Sequence, residues 1–379
     1  MSISGESIPF GADMYHAYAH ARAEAEASLG KVNVIVAGNA GVGKSTLVNA
    51  VFGKHVALTG VGRSQTQGID EYSFPDLPLR LYDTRGFEIG DSAATVGAVH
   101  EKINDLRAST EPHAQIHVAW PCILEQSHRI EPVLTDLLNM LDRQSVPAVV
   151  VVTQALGDDE MVAKVRELAV PNRGVVPLLA LEKRIGPHLI PAYGVSELID
   201  VTLALLPDAQ TAAFVAAQRA RWDLKEKAAV AAINEAVAMA VASAGVPVPG
   251  GHSVALVGIQ AWMIAQINAR IGIRMRDSGG KDMVKAMAGM ILTRFGGQTA
   301  FGYALSEALR FFPGLGSIGA AMIGGPIAGA LTKIFGHLYL DSIKGYVQSD
   351  SPPPSPEALA ERMKALLEQN RDRYSALKE

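Results

Sequence analysis

The chain has 379 residues, 49% of them hydrophobic and 19% charged, with a formal net charge of −4. That length favours two domains, the apolar share excludes disorder over most of the chain, and the slightly acidic balance gives no reason to expect nucleic acid. A single cysteine, Cys122, excludes an internal disulfide framework and suits a reducing compartment.

No basic region followed by an apolar run opens the chain, so a secretory signal is not expected. Residues 13–29 predict a helix, with Asp13 as N-cap and Gly30 as stop. Residues 32–37 read as a short buried strand. A glycine-rich loop follows, and residues 44–52 read as a helix. Residues 69–74 predict an edge strand. Further apolar runs lie at 79–82, 115–119, 148–152 and 175–181, and helical stretches at 91–107, 130–141, 160–168 and 196–206 separate most of them. This alternation predicts βαβ crossovers and a largely parallel sheet. The domain closes near Pro207.

After about residue 211 the composition changes. Residues 212–242 are Ala-rich and read as helical, and a Pro/Gly break follows at 245–251. Residues 254–273 and 283–295 are apolar and helix-like. Residues 311–332 carry no charge and are dense in Gly and Ala. That length suffices to cross a bilayer, and Gly325 and Gly329 have the spacing that lets helices approach closely. Pro313 and Pro326 interrupt it, and Leu, Ile and Phe are sparse, so a tightly packed bundle is the expected reading, ahead of peripheral membrane contact and of spanning. A Pro-rich linker at 351–356 leads into a charged amphipathic helix at 357–377. The expected layout is an N-terminal helix over 1–30, an α/β phosphate-loop domain over 31–210, an all-α apolar helical domain over 211–348, and a linker with a C-terminal helix over 349–379.

The chemistry concentrates in the first of these domains. Gly38-Asn39-Ala40-Gly41-Val42-Gly43-Lys44-Ser45 matches G-x-x-x-x-G-K-[ST], between a strand and a helix. Glycines let backbone N–H groups turn toward phosphates, and the helix points its positive end at the same oxygens. Lys44 then contacts the β- and γ-phosphates, Ser45 ligates Mg²⁺, and Thr46 completes the candidate set. Asp83-Thr84-Arg85-Gly86 follows the 79–82 run. Its Asp can hold Mg²⁺ through water, and its Gly can offer an N–H to the γ-phosphate. Thr66 is the favoured loop threonine to close over the metal, with Ser64 and Thr59 as competitors. His113 and His117 flank a strand and are not expected to bind metal together.

These elements together resemble the Era-like branch of the translation-factor-type GTPases, over roughly residues 31–207. The resemblance implies GTP and GDP as ligands, Mg²⁺ as cofactor, and slow hydrolysis of GTP to GDP and phosphate. It makes Ser45, Thr66 and Asp83 the metal set and Thr66, Gly86 and Arg85 the catalytic candidates. Phe87 stands where Ras-like proteins carry a catalytic glutamine. The family's fourth motif, [NT]-K-x-D, departs here. Thr153 fits, Gln154 replaces Lys, and Leu156 stands where the guanine-binding Asp is expected, with Asp158 and Asp159 close behind. The fifth motif falls on Leu179-Ala180-Leu181, without its serine. Residues 229–346 resemble the apolar helical domains that follow such G domains in bacterial proteins. Three functions compete: a slow regulatory GTPase that switches its helical domain, a dynamin-like membrane-remodelling GTPase, and a non-catalytic nucleotide-binding scaffold. The expected setting is the cytoplasm, with a homodimer and a contact at the inner face of the cell membrane as candidate associations.

Overall fold

The structure is a computed structural model that describes residues 10–53, 61–66, 69–74, 77–84, 92–111, 113–127, 130–157, 159–168, 174–243, 251–273, 325–349, 351 and 354–377. It divides into two compact units, Leu29–Trp222 and Met1–Ser28 with Asp223–Glu379.

Helix α1 spans Phe10–Leu29. Strand β1, Val32–Ala37, is buried at every position, as a strand covered on both faces must be. It leads through the glycine-rich loop into α2, Lys44–Phe52. Strands β2, Val61–Thr66, and β3, Ile69–Ser73, form an antiparallel pair. Strand β4, Leu79–Thr84, runs antiparallel to β3 and parallel to β1. Then come α3, Ser92–Ala108, β5, Val118–Leu124, and a 3₁₀ turn at Glu125–Ser127. Helix α4, Pro132–Arg143, has proline in its first turn and buries Leu134, Leu137, Leu138 and Leu141 on one face. Strand β6, Val149–Thr153, reads VVVVT and is wholly buried. It is followed by α5, Asp159–Leu168, and β7, Gly174–Pro177. A short hairpin, β8 at Lys183–Ile185 and β9 at His188–Ile190, precedes α6, Val195–Leu205, and α7, Asp208–Ala217.

The sheet order is β2-β3-β4-β1-β5-β6-β7. It is parallel from β4 to β7. Several sequence expectations shift. The edge strand is β2, and the expected edge, 69–74, lies one place inward as β3. The run at 115–119 is the beginning of a longer path. Strand β5 continues through Pro121, which reads as a strand breaker, and pairs with β6 at Cys122, Ile123 and Leu124. Of the run at 175–181, only the first part is strand, and residues 178–181 leave the sheet.

The Ala-rich stretch at 212–242 is not one helix. Buried Gln218 ends α7: its Nε2 donates to the Arg221 carbonyl at 2.9 Å and its Oε1 accepts from the Arg221 N–H at 2.8 Å. These bonds satisfy the chain where the helical ladder stops. Phe214 of α7 meets Phe52 and Trp120 edge-on, with centroids 5.8 and 6.2 Å apart, and Phe52 stacks on Trp120 at 5.7 Å. This aromatic cluster binds α7 to α2 and β5, so the first unit runs on to Trp222.

His117 is structural. Its Nδ1 accepts the Asn33 N–H at 2.9 Å, while the Asn33 amide donates to the carbonyls of His113, Ala114 and Gln115. Burial, with His113 nearby, pushes the His117 pKa down to about 4. Among the described residues no cluster of three or more His, Cys, Asp or Glu side chains is placed to hold a metal.

The second unit is helical. It contains most of α8, Trp222–Ser243, with α9, Gly251–Ile271, α10, Gly325–Gln348, α11, Pro356–Gln369, and α12, Arg371–Ala376. Buried Lys225 donates to the Ile271 carbonyl at 2.7 Å, a cation on the negative end of α9. Tyr339 of α10 donates to Asn268 of α9 at 2.6 Å. Ser355 caps α11 through the Ala358 N–H. The expected segments 245–250, 283–295 and 311–324 lie outside the described residues, and 325–332 opens α10. No helix among the described residues is long and apolar enough to cross a membrane.

Candidate functional site

The site lies at the carboxyl ends of β1, β4 and β6, where ligands settle in open α/β sheets. After β1 the chain must turn within a few residues to enter α2. Gly38 makes that turn against β5, where a Cβ would fall 2.6 Å from the Cys122 carbonyl oxygen. Gly43 has φ 99° and ψ 18° at the N-cap of α2, a left-handed conformation open to glycine. It offers no side-chain cap, so the first amides of α2 remain available to an anion.

Lys44 is 9% exposed, although it is a lysine at the start of a helix. Its Nζ donates to the Gly38 carbonyl at 2.9 Å and the Asn39 carbonyl at 3.3 Å, and lies 3.9 Å from Asp83 Oδ1. Asp83 lies at the carboxyl end of β4, directly opposite Asp70 of β3. Burial raises the Asp83 pKa to about 6; Lys44 opposes this and Asp70 reinforces it. Asp83 Oδ1 is buried and accepts no hydrogen bond. Asn39 donates to Glu131 at 3.1 Å, tying the loop to the start of α4.

Beyond β6 the chain forms a second wall. Thr153 Oγ1 lies 2.6 Å from the Val42 carbonyl and 3.1 Å from that of Ile123, and it donates to the nearer. The fourth-motif segment is thus joined to the phosphate loop. Gln154 takes φ 52°, unusual for a non-glycine residue, and its carbonyl accepts from Gln126 Nε2 at 2.7 Å. Glu125 is 3% exposed and accepts the amides of Leu156 at 2.6 Å and Gly157 at 3.2 Å. A cleft of about 220 Å³ opens here, lined by Gly43, Thr46, Thr153, Gln154, Glu182 and Lys183 among others.

The structure therefore brings Gly38 to Ser45, Thr46, Asp83, Thr153 and Gln154 to one end of the sheet. Thr66 ends β2, so it closes an edge strand rather than sitting within a loop. Arg85, Gly86, Phe87 and Asp158 lie outside the described residues. Asp159 opens α5. The residues that sequence reading missed are Glu125, Gln126 and Glu131. Their signal was present only as acidic and amide groups just beyond an apolar strand, the position from which a side chain can reach adjacent loop amides.

Residues 33–154 match the family model described as "50S ribosome-binding GTPase". The chain carries a P-loop GTPase domain. Over those residues it is similar to P-loop GTPases, which supports the class GTP hydrolase. The match covers about a third of the chain. The chain is 28% identical over 184 residues to the probable GTP-binding protein EngB of Rhodopseudomonas palustris strain TIE-1, covering 48% of this chain and 81% of that protein. It is 32% identical over 132 residues to GTPase Der of Rhizobium johnstonii, covering 33% of this chain and 26% of Der. The crystal structure of Aquifex aeolicus Era aligns at 21% identity with a TM-score of 0.31, covering 47% of this chain and 58% of that one.

Proposed function

We propose that the domain binds GTP with Mg²⁺, hydrolyses it slowly to GDP and phosphate, and through that cycle switches the state of the helical unit. The observation that carries this reading is the convergence of the uncapped α2 N-terminus, Lys44 and Asp83 on one point. Backbone amides of Gly41 to Ser45 hold the β-phosphate, and Lys44 exchanges its loop carbonyls for β- and γ-phosphate oxygens.

The residues present fit a divalent cation. Asp83 Oδ1 is buried without a hydrogen bond, and Asp70 stands beside it. Burial holds Asp83 above the ordinary carboxylate range, so a cation would favour its charged form. Ser45 and Thr66 are assigned as its direct ligands and Asp83 as its support through water. Bound there, Mg²⁺ supplies charge neutralisation for the phosphate oxygens. The backbones of Thr66 and Gly86 orient the attacking water in line with the γ-phosphorus. Arg85 neutralises charge on the γ-phosphate, a role Phe87 cannot take. A cytoplasmic setting accords with the one buried free cysteine.

Lys44→Ala tests the site. Calorimetry with GTP and GDP is expected to show affinity reduced at least about 100-fold, the loss of a desolvated charge-assisted contact to two phosphates. Phosphate release is expected to stop as well. Unchanged affinity in a folded variant overturns the assignment.

A further inference from the structure

Guanine presents two adjacent donors, N1–H and the 2-amino group, and a site that selects it needs an acceptor pair facing them. Adenine presents a lone pair at N1, which a carboxylate repels. In this chain the position that would supply the acceptor is Leu156. The loop around it is nonetheless well built. Thr153 is joined to the phosphate loop, Gln126 holds the Gln154 carbonyl, and Glu125 holds the Leu156 and Gly157 amides. The wall of a base cleft is present, and its expected carboxylate is not.

We propose that Glu182 supplies that carboxylate, so that guanine is selected from the fifth-motif side of the cleft. This rests on the nucleotide-binding reading above. Among the residues lining the cleft, Glu182 is the one carboxylate. Glu125 is nearby, but both of its oxygens are engaged by backbone amides. Thr153 has its hydroxyl proton on the Val42 carbonyl. The Gln154 side chain carries a donor and an acceptor together, so it does not distinguish the two purines. Leu178 and Leu179 give the cleft apolar wall, and Lys183 adds a donor suited to the guanine O6.

The backbone beneath Glu182 is fixed. Leu179 and Tyr193 exchange two backbone hydrogen bonds, at 3.1 and 3.0 Å. Directly beyond them β8 pairs with β9, from Lys183 opposite Ile190 to Ile185 opposite His188. Glu182 sits between the bridge and the hairpin, on an exposed stretch, and is among the residues lining the cleft, so its charge is kept at little desolvation cost. The hairpin was not foreseen from sequence, and it gives Glu182 a defined place beside the cleft.

The test is calorimetric titration of the full chain with GTP, ITP and ATP in Mg²⁺, for the unaltered protein and for Glu182→Ala, Glu182→Gln and Asp158→Ala. The unaltered protein is expected to prefer GTP to ATP, with ITP, which lacks the 2-amino group, in between. Glu182→Ala is expected to weaken GTP about 10- to 100-fold, the range for a charge-assisted hydrogen bond, and to leave ATP unchanged. Glu182→Gln keeps the size and loses the charge, and it is expected to lose most of the same preference. A GTP preference that survives Glu182→Ala, or that disappears instead in Asp158→Ala, overturns the assignment. So does equal binding of GTP and ATP by the unaltered protein, which leaves triphosphate binding standing. Absence of binding to all three nucleotides overturns the nucleotide reading itself, and Glu182 with it.

Discussion

At the residue scale, Asp83 is held at a cost that a bound cation would offset. Its folded pKa of about 6 lies above the ordinary 3.8, because burial outweighs the pull of Lys44. A carboxylate whose pKa rises on folding is destabilising wherever it is ionised in the fold. Below pH 4 it is protonated in both states and the penalty vanishes. Between pH 4 and 6 the penalty grows as the pH rises, and above 6 it is complete. Asp83→Asn keeps the shape without the charge. We expect it to raise the melting temperature of the nucleotide-free protein by a few degrees at pH 7.5. The gain should shrink to nothing near pH 4, while Mg²⁺-dependent nucleotide affinity falls at every pH. A melting temperature that drops at pH 7.5 would show that Asp83 stabilises the empty site, contrary to this account. Asp83 was visible in the sequence because an acid ends an apolar run at a fixed distance after a phosphate loop. Its partner across the sheet, Asp70, was not, because register between β3 and β4 is set by pairing that no local pattern encodes.

At the element scale, the loop after β6 is held by residues from a different segment, the turn at Glu125 to Ser127. Glu125 takes two backbone amides out of competition with water, and a buried amide without an acceptor costs about 1–3 kcal/mol. Glu125→Ala is therefore expected to lower unfolding free energy by that order, read in urea denaturation. It should weaken GTP and ATP by the same factor, since it loosens the wall without touching base selection. A change in the GTP/ATP ratio would show instead that Glu125 contacts the base. The same element explains what the sequence hid. Periodicity found β1 and β6 because runs such as VNVIVA and VVVVT are buried on both faces. It placed β5 too early because Pro121 interrupts the pattern while the ladder to β6 continues past it. It missed β2, whose sequence VGRSQT is polar and whose strand character comes from pairing with β3. The phosphate loop was legible because its chemistry demands glycines and a lysine in one contiguous stretch. The candidate base cleft was not, because its walls come from three separate segments and Leu156 stands at the position expected for its carboxylate.

At the scale of the whole molecule, the described residues of the candidate nucleotide site belong to the unit Leu29–Trp222, whereas the helices beyond Asp223 form a unit with its own polar ties. Composition shifts near residue 211, but α7 belongs with the sheet: its Ala-rich sequence resembles the helices that follow, and only the packing of Phe214 on Phe52 and Trp120 reveals its allegiance. A switch that crosses from one unit to the other requires that the two nucleotide states differ in free energy of interaction with the helical unit, since a ligand without such a difference shifts nothing. Hydrogen exchange reads this directly. We expect amides within residues 223–379 to differ in protection between the GDP form and a form bound to a non-hydrolysable GTP analogue, both with Mg²⁺. The change should centre on helices whose ends carry their stabilising contacts, such as α9 at Ile271, rather than spread evenly. In Lys44→Ala the two conditions should give identical exchange, because neither nucleotide is held. If the unaltered protein binds both nucleotides and its amides beyond 223 exchange identically, hydrolysis is confined to the first unit and the switching proposal fails, with the phosphate-site assignments untouched.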